Sequence, residues 1–161
     1  MQIEEQHIEH LELLAFELDQ QGQDNFHMKF YKSSRNCYGM VLPDPCGTIC
    51  CSLGLATTIK GMESKYTYFT DYYNYCKTMF GFYLYSLPGQ WAFHDSWADV
   101  DNTPLGAAGR IRYLIHLLKV HDLEYLESED CDLLPTVYPA KAEYKLRYKD
   151  FVSELIELGG E

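Results

Sequence analysis

A chain of 161 residues, 47% of them hydrophobic, is long enough for one well-formed core and short for two. Its formal charge of −11 argues against a protein that holds nucleic acid through the phosphates, because each phosphate contact wants a cation. No apolar run approaches the roughly 18 to 20 residues that span a bilayer, and Met1-Gln2-Ile3-Glu4-Glu5 lacks the basic start and apolar centre of a signal peptide, so a soluble cytoplasmic protein with no membrane partner is expected.

The first predicted element is an amphipathic helix over residues 3–20, in which Ile8, Leu11, Leu14, Ala15 and Leu18 share a face and Gly22 follows the end. Glu4, Glu5 and Glu9 sit near its N-terminus, where the helix dipole favours negative charge. His7 and His10 read as solvated side chains, since no further ligand lies at helical spacing from both. From Asp24 to Pro45 no period is evident, and an irregular connection or short hairpin anchored by Phe26, Met28, Phe30 and Tyr31 is expected.

Around Cys46-Gly47-Thr48-Ile49-Cys50-Cys51 the chain turns into a segment of small side chains. Thr48 is placed to cap a helix over about 49–60 that Gly61 closes, and this is the expected central helix. Gly54 inside it costs about 1 kcal/mol relative to alanine, so close packing of a neighbouring backbone is expected there.

An aromatic block follows, with seven tyrosines between Tyr66 and Tyr85. Thr70 is a candidate cap for a helix whose buried stripe is Tyr72, Tyr75 or Cys76, and Met79, and Gly81 can end it. Several of these tyrosines are expected at the surface, because each buried one must place its hydroxyl. Ser86-Leu87-Pro88-Gly89 then reads as a turn. It leads into a packed loop with one or two helical turns carrying Trp91, Phe93 and Trp97 among Asp95, Asp99 and Asp101.

Asn102-Thr103-Pro104 is the strongest helix start in the chain, with Thr103 as cap and Pro104 at the first helical position. Ala107, Ala108, Ile111, Leu114, Ile115 and Leu118 form its core stripe, and Arg110 and Lys119 are expected to face outward. An acidic connection over 122–139 leads to a last helix over 140–158, where Tyr144, Tyr148, Phe151, Leu155 and Leu158 recur at helical spacing. The expected architecture is mainly α. It is a single domain over 1–161 of about five helices, with its core at 26–120.

Several segments together carry a resemblance: Phe26-x-Met28, Cys46-Gly47-Thr48 with Cys50, Gly54 and Ala56, Phe80-Gly81, and Thr103-Pro104 leading to Ala107-Ala108 and Arg110-Ile111. This pattern resembles short proteins of bacteriophages and bacteria that have no assigned activity. It covers about Phe26 to Leu118 and implies a phage-type accessory protein, which would act in the cytoplasm of the host cell. It implies no catalytic residue.

Charge is unevenly placed. Met1 to Asp24 holds seven acids and Asp122 to Asp132 holds six, with no Lys or Arg in either stretch. Such clusters suit a basic partner, and the first expectation for function is a non-enzymatic accessory protein that binds a host protein. An inhibitor of a defence or nucleic-acid-handling protein, occupying its basic groove through Glu124, Glu127 and Asp130, is the concrete form. No direct contact with nucleic acid is expected. The alternative is a binder of a small, nucleotide-like ligand, or an enzyme, using a pocket over 82–97 lined by Tyr83, Trp91 and Trp97.

Three chemistries were weighed against these readings. Cys46, Cys50 and Cys51 with Cys37 or His94 fit none of the recurring zinc spacings, so reduced cysteines with no metal and no cofactor are expected. A thiol hydrolase would need Cys50, His94 and Asp95 or Asp99, on a sheet framework for which the sequence gives no sign. A phosphate-binding loop is excluded, since no glycine pattern with its lysine occurs.

Overall fold

The computed structural model describes residues 3–28, 51–63, 69–128, 131 and 133–134. Within them the chain is mainly helical, as expected. In order come α1 (Glu5–Gln20), α2 (Ser52–Ala56), α3 (Phe69–Phe80), α4 (Leu87–Phe93), α5 (Pro104–Val120) and α6 (Leu123–Leu126), with short 3-10 turns at Gln23–Asn25 and Asp95–Asp99. The predicted helix over 140–158 and the connection over 29–50 lie outside the described residues.

The start of α5 follows from its sequence. Thr103 Oγ1 accepts a hydrogen bond from the Gly106 amide at 2.9 Å, and Pro104 occupies the first turn without wasting a donor. Asp101 braces the cap, its Oδ1 accepting from the Thr103 hydroxyl at 2.6 Å. Its carboxylate leaves no room for a side chain at position 106, where a Cβ would lie 2.0 Å from Asp101 Oδ2.

Helix α1 packs on α5 in the opposite direction. Glu12 pairs with Lys119 at 2.8 Å, and Asp19 meets Arg112 through both guanidinium nitrogens, so residue numbers fall along α5 as they rise along α1. Between the helices lie the buried stripes Leu11, Leu14, Ala15 and Leu18 of α1 and Ala107, Ala108, Ile111, Leu114, Ile115 and Leu118 of α5. Full burial of such a leucine contributes about 2 kcal/mol, so this seam holds the fold.

Helix α3 closes on the N-terminal end of α1. Gly81, at φ +80°, ends α3 as expected, and a Cβ there would lie 2.6 Å from His7 Nδ1 and 2.8 Å from Ile3 Cδ1. His7 and His10 are half-buried and hydrogen-bonded within the protein, where free solvated side chains are expected. His7 Nδ1 accepts from the Glu4 amide at 3.1 Å, and His10 Nδ1 bonds the Met79 carbonyl at 2.9 Å, tying α1 to the last turn of α3. A sequence scan for metal ligands has no way to register a carbonyl sixty-nine residues away.

The expected helix over 49–60 is shorter in the structure. Its helical part is α2, opened by Cys51, whose sulfur accepts from the Gly54 amide at 3.4 Å; Thr48 lies outside the described residues. Thr57 and Thr58 then turn their hydroxyls back onto the carbonyls of Gly54 and Leu55 at 2.8 and 2.7 Å, which satisfies those acceptors and lets the chain leave the helix. Gly61, at φ +92°, completes the turn. Every residue from Cys51 to Thr57 is buried, so the segment is central in position even though it is brief.

The turn expected at Ser86-Leu87-Pro88-Gly89 is the first turn of α4, with Pro88 tolerated there because its missing N–H would have had no helical partner. Gly89 lets the helix lie against the preceding strand of backbone, since a Cβ would come within 2.2 Å of the Tyr83 carbonyl oxygen. The outward orientation expected of Arg110 does not hold. Its side chain is fully buried, spaced three residues from Ala107 and four from Leu114, on the core side of α5. Lys119 is exposed, as expected.

Candidate functional site

Of the six residues singled out from the sequence, the five that are described fall in three places. Trp91 and Trp97 are buried and meet edge to face, with ring centres 5.2 Å apart. Trp97 Nε1 donates to the Trp91 carbonyl at 2.7 Å, and Trp91 Nε1 donates to the Arg110 carbonyl at 2.9 Å. The Arg110 guanidinium lies over the Trp97 ring, 4.4 Å from its centre. Both indole N–H groups thus serve the backbone, and these tryptophans are a joint inside the protein.

Tyr83 belongs to a surface cluster apart from them. Beyond Gly81 the side chains alternate, Phe82 and Leu84 buried, Tyr83 half-buried and Tyr85 exposed. Tyr83 stacks on Tyr73 of α3 at 5.0 Å and 25°, and Tyr85 reaches Tyr73 at 6.1 Å. Lys77, one turn beyond Tyr73 on the same helix face, has its ammonium 4.3 Å from the centre of the Tyr83 ring and in contact with its hydroxyl. The result is a column of one ammonium and three phenol rings. Partial burial pushes the Tyr85 phenol above its ordinary range.

Glu124 and Glu127 are exposed on and just beyond α6, and Asp130 lies outside the described residues. Asp122 opens this short helix, its Oδ1 accepting from the Tyr125 amide at 2.8 Å. The antiparallel packing of α1 on α5 has a consequence here. It carries the first turn of α1 to the end of α5 where α6 begins, so the two acidic stretches meet. Ile3, Leu118, Val120, His121, Asp122 and Leu123 line an open groove of about 630 Å3 at this end, with Lys119 and Glu124 also along it.

The same geometry qualifies the charge argument. Glu12 and Asp19 lie in the cation-free N-terminal stretch, yet α5 supplies their partners, Lys119 and Arg112. Glu5, Glu9, Glu124 and Glu127 are exposed and take part in no ion pair among the described residues. Unpaired carboxylates thus stand toward the end of the α1/α5 pair where α6 begins, and Asp24 stands exposed beyond the opposite end of α1.

No family model, curated protein or solved structure matches this chain. Function must be argued from the surface itself.

For nucleophilic chemistry, His94 Nδ1 lies 3.2 Å from Asp95 Oδ1, which orients the ring, but Cys50 and the Asp99 side chain lie outside what is described. Cys51 and Cys76 are buried, and burial pushes the Cys76 thiol well above its ordinary range, the opposite of nucleophile activation. Among the described residues no group of three His, Cys, Asp or Glu side chains is placed to hold a metal ion, and no helix is long and apolar enough to cross a membrane.

Proposed function

We propose that this chain is a non-enzymatic accessory protein that binds a basic macromolecular partner through the acidic end of the α1/α5 pair. The observation that carries the reading is the groove in which Ile3, at the start of α1, meets residues 118–124, with Asp122 and Glu124 in its lining and the exposed Glu4 and Glu5 next to Ile3 in sequence. The resemblance to short phage and bacterial proteins supports a partner in the host cell, and a protein with a basic nucleic-acid-binding groove presents the complementary charge. A cytoplasmic setting goes with that proposal.

The test is affinity purification from bacterial lysate with wild type and with Glu124→Lys/Glu127→Lys, followed by affinity measurement on the recovered partner at low and high salt. The expected result is a basic protein whose binding weakens with salt and with charge reversal. Exposed charges are screened over about 8 Å at physiological ionic strength, so salt should act strongly. Equal recovery across all four conditions would sink the proposal.

The column of Tyr73, Tyr83 and Tyr85 favours a second reading, in which a flat ligand such as a nucleobase stacks at the exposed Tyr85 side. Saturation of Tyr85 fluorescence quenching by a nucleoside, abolished in Tyr85→Ala, would support it; no response at millimolar nucleoside would remove it.

A further inference from the structure

We infer that the groove where α5 meets α6 takes an apolar side chain of a basic peptide segment, so that recognition needs an apolar anchor and flanking cations together. This rests on the proposal that the acidic end is the binding face, and adds what the partner must present there.

The groove is not simply a set of carboxylates. Its lining includes Ile3, half-buried, and Val120, which is 57% exposed although it ends a helix whose other apolar residues are mostly buried. Leu118 and Leu123 extend this apolar floor, and both are buried. The groove is open, and its volume of about 630 Å3 exceeds what a single water or ion would occupy. A β-branched apolar side chain left open beside Asp122 and Glu124 gains from being covered.

The rim decides the charge of whatever covers it. Asp122 and Glu124 line the groove, Glu4 and Glu5 follow Ile3 in sequence, and Glu127 lies one turn past Glu124, all of these acids exposed. The lysine nearby is Lys119, which is engaged by Glu12, and the His121 ring rests against Tyr125 at 5.4 Å. Nucleic acid and an anionic bilayer are repelled by such a rim. A small polyamine would be held by the carboxylates but would leave Val120 exposed. A peptide that places an apolar side chain between arginines or lysines satisfies both parts, with a dry centre ringed by charge.

The experiment titrates the full chain with short fluorescent peptides, capped at both ends, read by anisotropy. One carries phenylalanine flanked by arginines, a second replaces the phenylalanine with serine, and spermine serves as competitor. The expected result is binding of the phenylalanine peptide about tenfold tighter than the serine peptide. Val120→Ser should erase that difference, while Glu124→Lys/Glu127→Lys should weaken both peptides, with circular dichroism unchanged in each variant. Equal affinity for the two peptides, or full competition by spermine at matched charge, overturns the apolar anchor and leaves the acidic face standing. Binding of neither peptide overturns both.

Discussion

The Arg110 guanidinium lies 4.4 Å from the centre of the Trp97 ring, and both side chains are fully buried. A cation in that position is held by the ring face and by backbone oxygen, with Nη1 reaching the Asp101 carbonyl at 3.4 Å. It joins α5 to the turn at Asp95–Asp99 and to the loop that caps α5. Arg110→Ala should therefore destabilise by about 3 kcal/mol or more, through lost packing as well as lost charge. Arg110→Lys should recover little, because an ammonium cannot reproduce the flat stack. Denaturant unfolding of the three proteins checks this; a lysine variant as stable as wild type would refute the stacking role.

Two glycines should respond in opposite directions. At Gly89 a Cβ would lie 2.2 Å from the Tyr83 carbonyl oxygen and 2.6 Å from that of Leu84, and backbone cannot move aside cheaply. Gly89→Ala should cost about 2 kcal/mol or more. At Gly109, inside α5, nothing lies within 4 Å of the added carbon, so Gly109→Ala should stabilise by up to about 1 kcal/mol. The two melting temperatures should straddle that of wild type.

The ion pairs between α1 and α5 should matter little to stability. All four side chains are partly exposed, Lys119 at 55% and Glu12 at 52%, so each pair is worth less than about 1 kcal/mol. Lys119→Ala and Arg112→Ala are expected to unfold close to wild type in denaturant titrations. Larger losses would show that these charges, and not the leucine seam, hold the two helices together.

Alkaline pH should weaken the fold. Burial raises the Cys76 thiol and the Tyr75 phenol above their ordinary values of 9.0 and 10.0, so the native state keeps protons that the unfolded chain releases. For groups raised in this way the stabilisation is complete below the unfolded pKa and is lost as pH rises beyond it. Stability should hold level to about pH 8 and decline above about pH 9. Tyr75→Phe removes the hydrogen bond to the Met62 carbonyl at every pH, at a cost of about 1 kcal/mol, but should make the alkaline decline shallower. Urea midpoints from pH 7 to 10.5 would reveal a parallel decline if the assignment is wrong.

What the sequence made legible were features written in local chemistry. The Thr103-Pro104 start, the leucine stripe of α1 and Gly81 as a terminator each depend on neighbours a few residues away, and each is found as expected. Arg110 defeats the expectation that charge means exposure, although its spacing from Ala107 and Leu114 puts it on the apolar stripe. The extent of α2 depended on which carbonyls Thr57 and Thr58 would claim, a competition that periodicity does not describe. The acidic end was half legible: composition exposed both clusters, but their meeting follows from the relative direction of α1 and α5. Trp91 and Trp97 looked like ligand contacts for want of knowing that their N–H groups would find backbone carbonyls.

Glu12 and Asp19 are seven residues apart, and so are Arg112 and Lys119. A slip of α1 by one heptad would set Glu5 against Lys119 and Glu12 against Arg112, again two opposite-charge pairs. The ion pairs are thus degenerate and cannot tell α1 where to stop. That choice falls to the seam, where the slip would set Glu4, His7 and Ile8 in the places of Leu11, Leu14 and Ala15, and to features at the two ends of α1: the His7 ring seated on Gly81 with His10 on the Met79 carbonyl, and Asn102, which receives Gln23 Nε2 at its carbonyl and the Met28 amide at its side chain. Loosening those two clasps would free the ends of the pair while its middle stayed packed, and the groove at one end would lose its shape before the leucine seam lost its contacts.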